Sequence, residues 1–206
     1  QQLTYYTEAQ LESIICEYKV YNGHNHFMIH LPDQTMVYDI NASQTVGEPI
    51  WYTMTSTVNG KGLYRAHNHV YAYNRWNVAD PSTNKIGYLT DEISSHYGDV
   101  IGWEFSTQML YNDSRGAIFN ELELIATTGR TQLGLSPIVS TCYSLDGVTW
   151  SQEQTINAGK TGERTKRLVW FRQGHMRNWR VQKFKGTSDA MISITALEAQ
   201  VEPLSV

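Results

Sequence analysis

The chain is poor in charge and in cysteine, and each scarcity excludes something. Charged residues make up only 17% of its 206 positions, too few to coat the outer faces of a helical protein. Cysteine occurs twice, as Cys16 and Cys142, without metal-type spacing. Each lies in an apolar segment, so both are expected as buried free thiols in a reducing cytoplasm. No apolar run approaches the roughly 20 residues of a membrane-spanning helix, and no signal peptide is visible. Catalytic signatures are missing as well: there is no G-x-S-x-G, P-loop, Rossmann glycine pattern or H-E-x-x-H, and no carboxylate pair stands out. The expectation is therefore a protein that is not an enzyme, holds no cofactor and has no membrane partner.

What is abundant is β-forming. Hydrophobic residues reach 41% and aromatics 12%, with 13 Tyr and 6 Trp, which describes a folded chain rich in the residue types that strands favour. The first residue is Gln1 rather than Met, so a piece of a longer protein is expected. Residues 7–18, "TEAQLESIICEY", are the best helix candidate. Thr7 and Gln10 have capping-box spacing, and Leu11, Ile14, Ile15 and Tyr18 recur with helical period. Beyond them the period changes to two.

In "HNHFMIHL", Phe27, Ile29 and Leu31 share one strand face, while His24, His26, Met28 and His30 share the other. "PDQT" turns the chain and "MVYDI" returns it. His-Asn-His recurs at 67–69, where "HNHVYAY" leads through the loop "NRWNVADPSTN" into "KIGYL". Aromatic strands, "EYKVY" and "PIWYTMTS", are expected to precede the two copies. A unit of about four strands recurring every 40–50 residues is the signature of a propeller blade. Two blades cannot close a ring, so further blades are expected from outside this chain.

From about residue 114 the pattern becomes that of a β-sandwich. Its strands are expected in "FNELELIATTG", "IVSTCYSLDGVTWS", "RTKRLVWFRQG", "NWRVQKFKG" and "AMISITALEAQVE". Asp146-Gly147 marks a tight hairpin. The fold expected is thus all-β: a partial β-propeller of about two blades with a short N-terminal helix over residues 1–113, then a β-sandwich-like domain over 114–206.

The histidines invite a metal reading. His24, His26 and His30 lie on one strand face with Asp33 near, but same-face neighbours are almost 7 Å apart, and no metal ligand is assigned. An HNH nuclease would need a metal-binding helix after the hairpin, and none is expected after either copy. Charge offers a second lead. Between Lys160 and Lys185 nine Lys or Arg face one acid, Glu163, whereas the remaining chain carries seven against nineteen. Such a stretch suits nucleic acid or an acidic neighbour, although alternation in "RLVWFR" leaves neither face purely basic. No base-reading motif is present.

Several segments in order resemble one family. "GHNHFMIHLPDQTMVYDI", "DEISSHYGDVIGWEF", "NELELIATTGRTQLGLSP", "CYSLDGVTWSQEQTINAGKTGERTKRLVWFRQGHMRNWRVQKF" and "SDAMISITALEAQVE" look like the C-terminal part of the packaged-DNA stabilisation proteins, the tail accessory or hub proteins of short-tailed bacteriophages. The likeness is most specific over residues 143–184. The chain departs from that pattern where Met36 replaces a Trp, where Gly147 lacks a second Gly, and in the bulk of "HMRNW". The resemblance implies a virion tail component, assembled in the bacterial cytoplasm. It would form a ring beneath the portal and adaptor, stabilise packaged DNA and dock the tail needle and tailspikes. The alternative is a carbohydrate-binding propeller or sandwich module. Arginine and tryptophan are favoured at the centres of protein interfaces. The candidate interface residues are Arg164, Lys166, Arg167, Arg172, Arg177, Trp179, Arg180 and Lys183. Trp170 is expected in the core.

Overall fold

A computed structural model of the chain describes residues 2–91, 93–187 and 190–204. These divide into two compact units, residues 1–101 and 102–206. Strands Gly102–Ser106 and Leu110–Tyr111, expected with the first region, pair within the second unit.

The first unit starts with a 3-10 turn and helix α1 (Glu8–Glu12). The Thr7–Gln10 capping box forms as expected, but Ser13 closes the helix after little more than a turn. Ile15 and Tyr18 belong to strand β1 (Ile15–Tyr21) instead. Their helical spacing was coincidental, because pairing with the next strand recruits the β-branched run. The two-residue turn Asn22-Gly23, with both φ positive, folds β1 onto β2 (His24–His30). Such a turn suits the twist of a hairpin. Leu31 and Gln34 close the next turn through a 2.8 Å backbone bond, and β3 (Thr35–Asp39) returns along β2. Helix α2 (Ile40–Val46) follows, and β4 (Trp51–Met54) completes a four-stranded antiparallel sheet ordered β1-β2-β3-β4. Trp51–Met54 is thus the fourth strand of the first blade and not the opening strand of the second.

The second sheet comprises β5 (His67–Ala72), β6 (Arg75–Ala79) and β7 (Ile86–Tyr88). Tyr73 and Asn74, both at positive φ, make the β5–β6 turn, so much of the expected loop is strand. The two His-Asn-His copies therefore occupy different places, the second strand of one sheet and the first strand of the other. Met28 and Val37 from the first sheet and Val78 from the second meet Tyr64 and Ala66 in a common core.

The second unit is a two-sheet sandwich. One sheet holds β8 (Gly102–Ser106), β9 (Leu110–Tyr111), β11 (Ile138–Ser144), β12 (Gln154–Asn157) and β15 (Trp179–Thr187). Its order is β12-β11-β15-β8, with β9 also on β15. The other is built on β10 (Ala117–Thr127), which pairs with β13 (Leu168–Phe171), β14 (His175–Met176) and β16 (Ser193–Pro203). All five expected sandwich strands form. A bulge at Asn120 shifts the phase of β10, so Ala117 and Phe119 point inward before it and Leu122 and Leu124 after it. They pack with Val139, Leu168, Phe184 and Trp170, the last a core residue as expected.

Cys142 is buried as expected, but Cys16 is exposed, because β1 is an edge strand with one open face.

Gly129 follows β10 and accepts the Gly162 N–H from the loop that carries Lys160, Arg164 and Lys166. Its φ is +74°, and a Cβ there would lie 2.7–2.9 Å from backbone atoms of Glu163 and Arg164. Gly129→Ala combines left-handed strain with a clash against backbone that cannot yield, so a loss of roughly 2–4 kcal/mol is expected. Urea unfolding checks this, and a loss under about 1 kcal/mol would show that the loop shifts freely.

Candidate functional site

The basic stretch of the sandwich resolves into three groups. Lys160, Arg164 and Lys166 sit on an exposed loop anchored from beneath. Thr128 Oγ1 donates to the Glu163 and Lys166 carbonyls at 2.9 and 3.3 Å, and Gly162 N–H donates to Gly129 O at 3.0 Å. Glu163, the single acid of the stretch, stays exposed and accepts the Lys160 backbone N–H at 2.8 Å. Lys160, Arg164, Lys166, Arg172 and Arg177 are exposed and make no ion pair among the described residues. Arg172 leaves the strand at φ +55°.

A second group is already neutralised. Arg167 grips Glu123 and approaches Glu121 at 3.5 Å across the β10–β13 pair. Those contacts hold the Glu123 carboxyl below its ordinary range. Lys185 bonds Glu153 at 2.5 Å. Lys183 lies 4.0 Å over the Trp150 ring and 3.9 Å from Glu104.

Arg180 forms a group of its own and corrects the expectation of an interface role, because it is fully buried and cannot present a surface. Its guanidinium lies 4.3 Å from the Phe119 ring and 3.9 Å from the Tyr143 ring. It donates to Gln182 Oε1 at 2.9 and 2.6 Å and to Gln173 O at 2.6 Å. Burial lowers its pKa to about 10, so it remains a cation at neutral pH. Trp179 is half-buried and packs over the Gly147 turn.

That turn is wider than expected. Gly147 does take positive φ, but the return strand starts only at Gln154. Asp146 organises the loop by accepting from Val148 N–H and Thr149 N–H at 2.8 and 2.7 Å and from Thr149 Oγ1 at 2.5 Å. These donors hold its carboxyl well below the usual range. A carboxylate so fully committed shapes a turn.

The first unit holds two histidine clusters. In one, Glu17 Oε2 takes His69 Nδ1 at 2.6 Å and His30 Nε2 at 3.1 Å, while Oε1 takes Asn68 N–H at 2.5 Å. His67 packs against His30 with ring centroids 3.9 Å apart and the planes tilted by 35°. Burial pushes the Glu17 carboxyl up, but the bonds from His30 and His69 outweigh it and hold the acid well below the usual range. Burial lowers His67, with His30 adding to the effect, and lowers His69 by more than Glu17 raises it. The Nε2 atoms of His67 and His69 are buried without partners.

In the other cluster, Asp39 faces His24 and His26. Asp39 Oδ2 is 2.7 Å from His24 Nδ1 and 3.7 Å from His26 Nε2. Asp39 Oδ1 accepts the Ala42 N–H at 2.9 Å as the cap of α2. A short helix does follow the first hairpin, and it carries no histidine or carboxylate. Asp33, expected near the histidines, bonds the Tyr6 hydroxyl instead. His30, expected beside His24 and His26, belongs to the Glu17 cluster. The register His30↔Thr35 places Asp39 opposite His26, so a hairpin closed at Leu31 and Gln34 was the signal for this residue.

Residues 1–94 match the family model described as Bacteriophage P22 Gp10, beta-propeller, and residues 102–202 match Bacteriophage P22 Gp10, beta-sandwich. The chain belongs to the P22 Gp10 family. Its likeness to the tail hub protein gp10 of Salmonella phage P22 is 24% identity over 197 residues, 96% of this chain. The chain spans 40% of the length of that relative. The Gp10 match divides where strand pairing does, ahead of β8.

Proposed function

We propose that this chain is a structural component of a phage tail. It would be a ring-forming hub beneath the portal and adaptor that helps retain packaged DNA and docks the needle and tailspikes. The observation that carries this reading is the ordered match of one chain to the propeller and then the sandwich of a single tail hub protein. Two surface features support it. The unneutralised cations Lys160, Arg164, Lys166, Arg172 and Arg177 suit packaged DNA or an acidic neighbour. Tyr18, Val20, Val70, Tyr71, Tyr73 and Ile86 are exposed on the first unit, and exposed apolar residues of this kind are covered in assemblies.

The test is association with purified portal–adaptor particles filled with DNA. The chain is expected to bind them and to slow DNA leakage; absence of association at physiological salt overturns the hub reading. The cationic surface has its own test. Replacing Arg164, Lys166 and Arg177 together by alanine is expected to weaken association and flatten its salt dependence. Where the cations meet DNA, the log–log slope falls by about 0.9 for each phosphate that is no longer neutralised. An unchanged slope removes these residues from the interface.

A further inference from the structure

We infer that His24, His26 and Asp39 form a binding site for a divalent transition metal of the zinc or nickel class. The site is independent of the assembly reading. Strand alternation puts His24 and His26 on one face of β2, and the hairpin register brings Asp39 directly opposite His26. The candidate ligand atoms of the three all lie within 4.8 Å of one another. In a tetrahedral zinc site, bonds of about 2.0–2.2 Å set ligand atoms about 3.3 Å apart. The 2.7 Å His24–Asp39 contact would therefore open slightly, and the 3.7 Å His26–Asp39 contact would close slightly.

The surroundings favour this use. The two imidazoles stack nearly parallel, with a 6° interplanar angle and centroids 5.8 Å apart, so one ring must turn about its Cβ–Cγ bond for both in-plane lone pairs to meet at one ion, and exposed His24 is the one free to do so. Asp39 is held by the Ala42 N–H through Oδ1, which leaves Oδ2 turned to the histidines. An outer hydrogen bond of this kind orients a metal ligand in advance. His24 is exposed, giving an ion a way in and leaving a coordination position for water. Two imidazoles and a carboxylate suit zinc or nickel better than calcium or magnesium.

An unpartnered ring nitrogen limits affinity. His26 Nδ1 is buried without a partner, and it must carry the ring proton when Nε2 ligates. Micromolar affinity is therefore expected, weaker than that of four-ligand structural zinc sites. Bound metal would tie the β2–β3 hairpin to the start of α2.

The test is a titration of the chelator-treated chain with Zn²⁺ against a chromophoric chelator, with Co²⁺ absorption reporting coordination geometry. One ion per chain is expected. His24→Ala, at an exposed position, and Asp39→Asn, which keeps the helix cap, are each expected to weaken binding about tenfold or more. Circular dichroism of both variants confirms that the fold is retained. Absence of Zn²⁺ binding by the unaltered chain overturns the proposal. So does binding that survives both substitutions, or binding abolished instead in His69→Gln, which would move the ion to the Glu17 cluster.

Discussion

Arg180→Ala is expected to cost the sandwich roughly 3–5 kcal/mol, because it leaves two buried acceptors without donors and removes a large, fully buried side chain. Arg180 is enclosed by acceptors at its edge and rings on its faces. Gln182 Oε1 and the Gln173 carbonyl receive its N–H groups, and the Phe119 and Tyr143 rings cover the guanidinium plane. Gln182 in turn donates through Nε2 to Thr141 Oγ1 at 2.6 Å, and Thr141 donates to the Lys183 carbonyl at 2.8 Å. Truncation leaves two buried acceptors without donors and opens a void between two rings. Arg180→Met refills part of the void but restores none of the hydrogen bonds, so it should fall between alanine and the parent. Arg177→Ala, at an exposed position three residues away, should stay within about 0.5 kcal/mol. Urea unfolding followed through the tryptophans checks all three. Equal small losses at Arg177 and Arg180 would refute the network.

Acidification from pH 7.5 to 5.5 is expected to destabilise the propeller unit far more than the sandwich. His67 and His69 have lowered pKa values in the fold, chiefly because burial disfavours their charged forms. The unfolded chain binds protons on them near pH 6.5 while the folded unit still resists. Stability therefore falls as pH drops through that value, by up to about 1.4 kcal/mol per pH unit for each such histidine. Glu17 acts in the same direction but lower. Its depressed carboxyl contributes fully above the unfolded glutamate value near 4.3, and that contribution is lost only as pH falls toward the folded value. The sandwich holds only His175, which is exposed. His69→Gln should flatten the pH dependence, and Glu17→Gln should lower stability at neutral pH by weakening its bonds to His30 and His69. Amide exchange in β2 and β5 reads the effect. Equal protection at both pH values would mean that the cluster opens to water too readily to matter.

Much of the fold was legible because its causes are local. Alternation over "HNHFMIHL", "FNELELIATTG" and "NWRVQKFKG" follows from the two-residue period of any strand, and the Thr7–Gln10 cap forms from groups three residues apart. The boundary at residue 101 was less visible, since β8 and β9 read as strands wherever they pair. The same alternation misled at Arg180. Side chains at 180, 182 and 184 share a face, and nothing nearby reveals that this face lies inside the sandwich between Phe119 and Tyr143, some sixty and forty residues away in sequence.

The sequence by itself determined an all-β chain, a propeller part followed by a sandwich, and a cation-rich loop with one acid. Composition, period and turn chemistry act within a few residues and need no partner. Tertiary structure alone decided which strand faces are buried, which cations are spent on neighbouring acids, and which side chains gather around each histidine. The His-Asn-His echo shows the division most clearly. Its two copies are alike as strands, yet pairing across β2 and β3 delivers Asp39 to the first copy, and packing of β5 near β1 delivers Glu17 to the second. Register and sheet order are long-range choices, made by the burial of Met28, Val37 and Val78 in one core, and no local pattern encodes them.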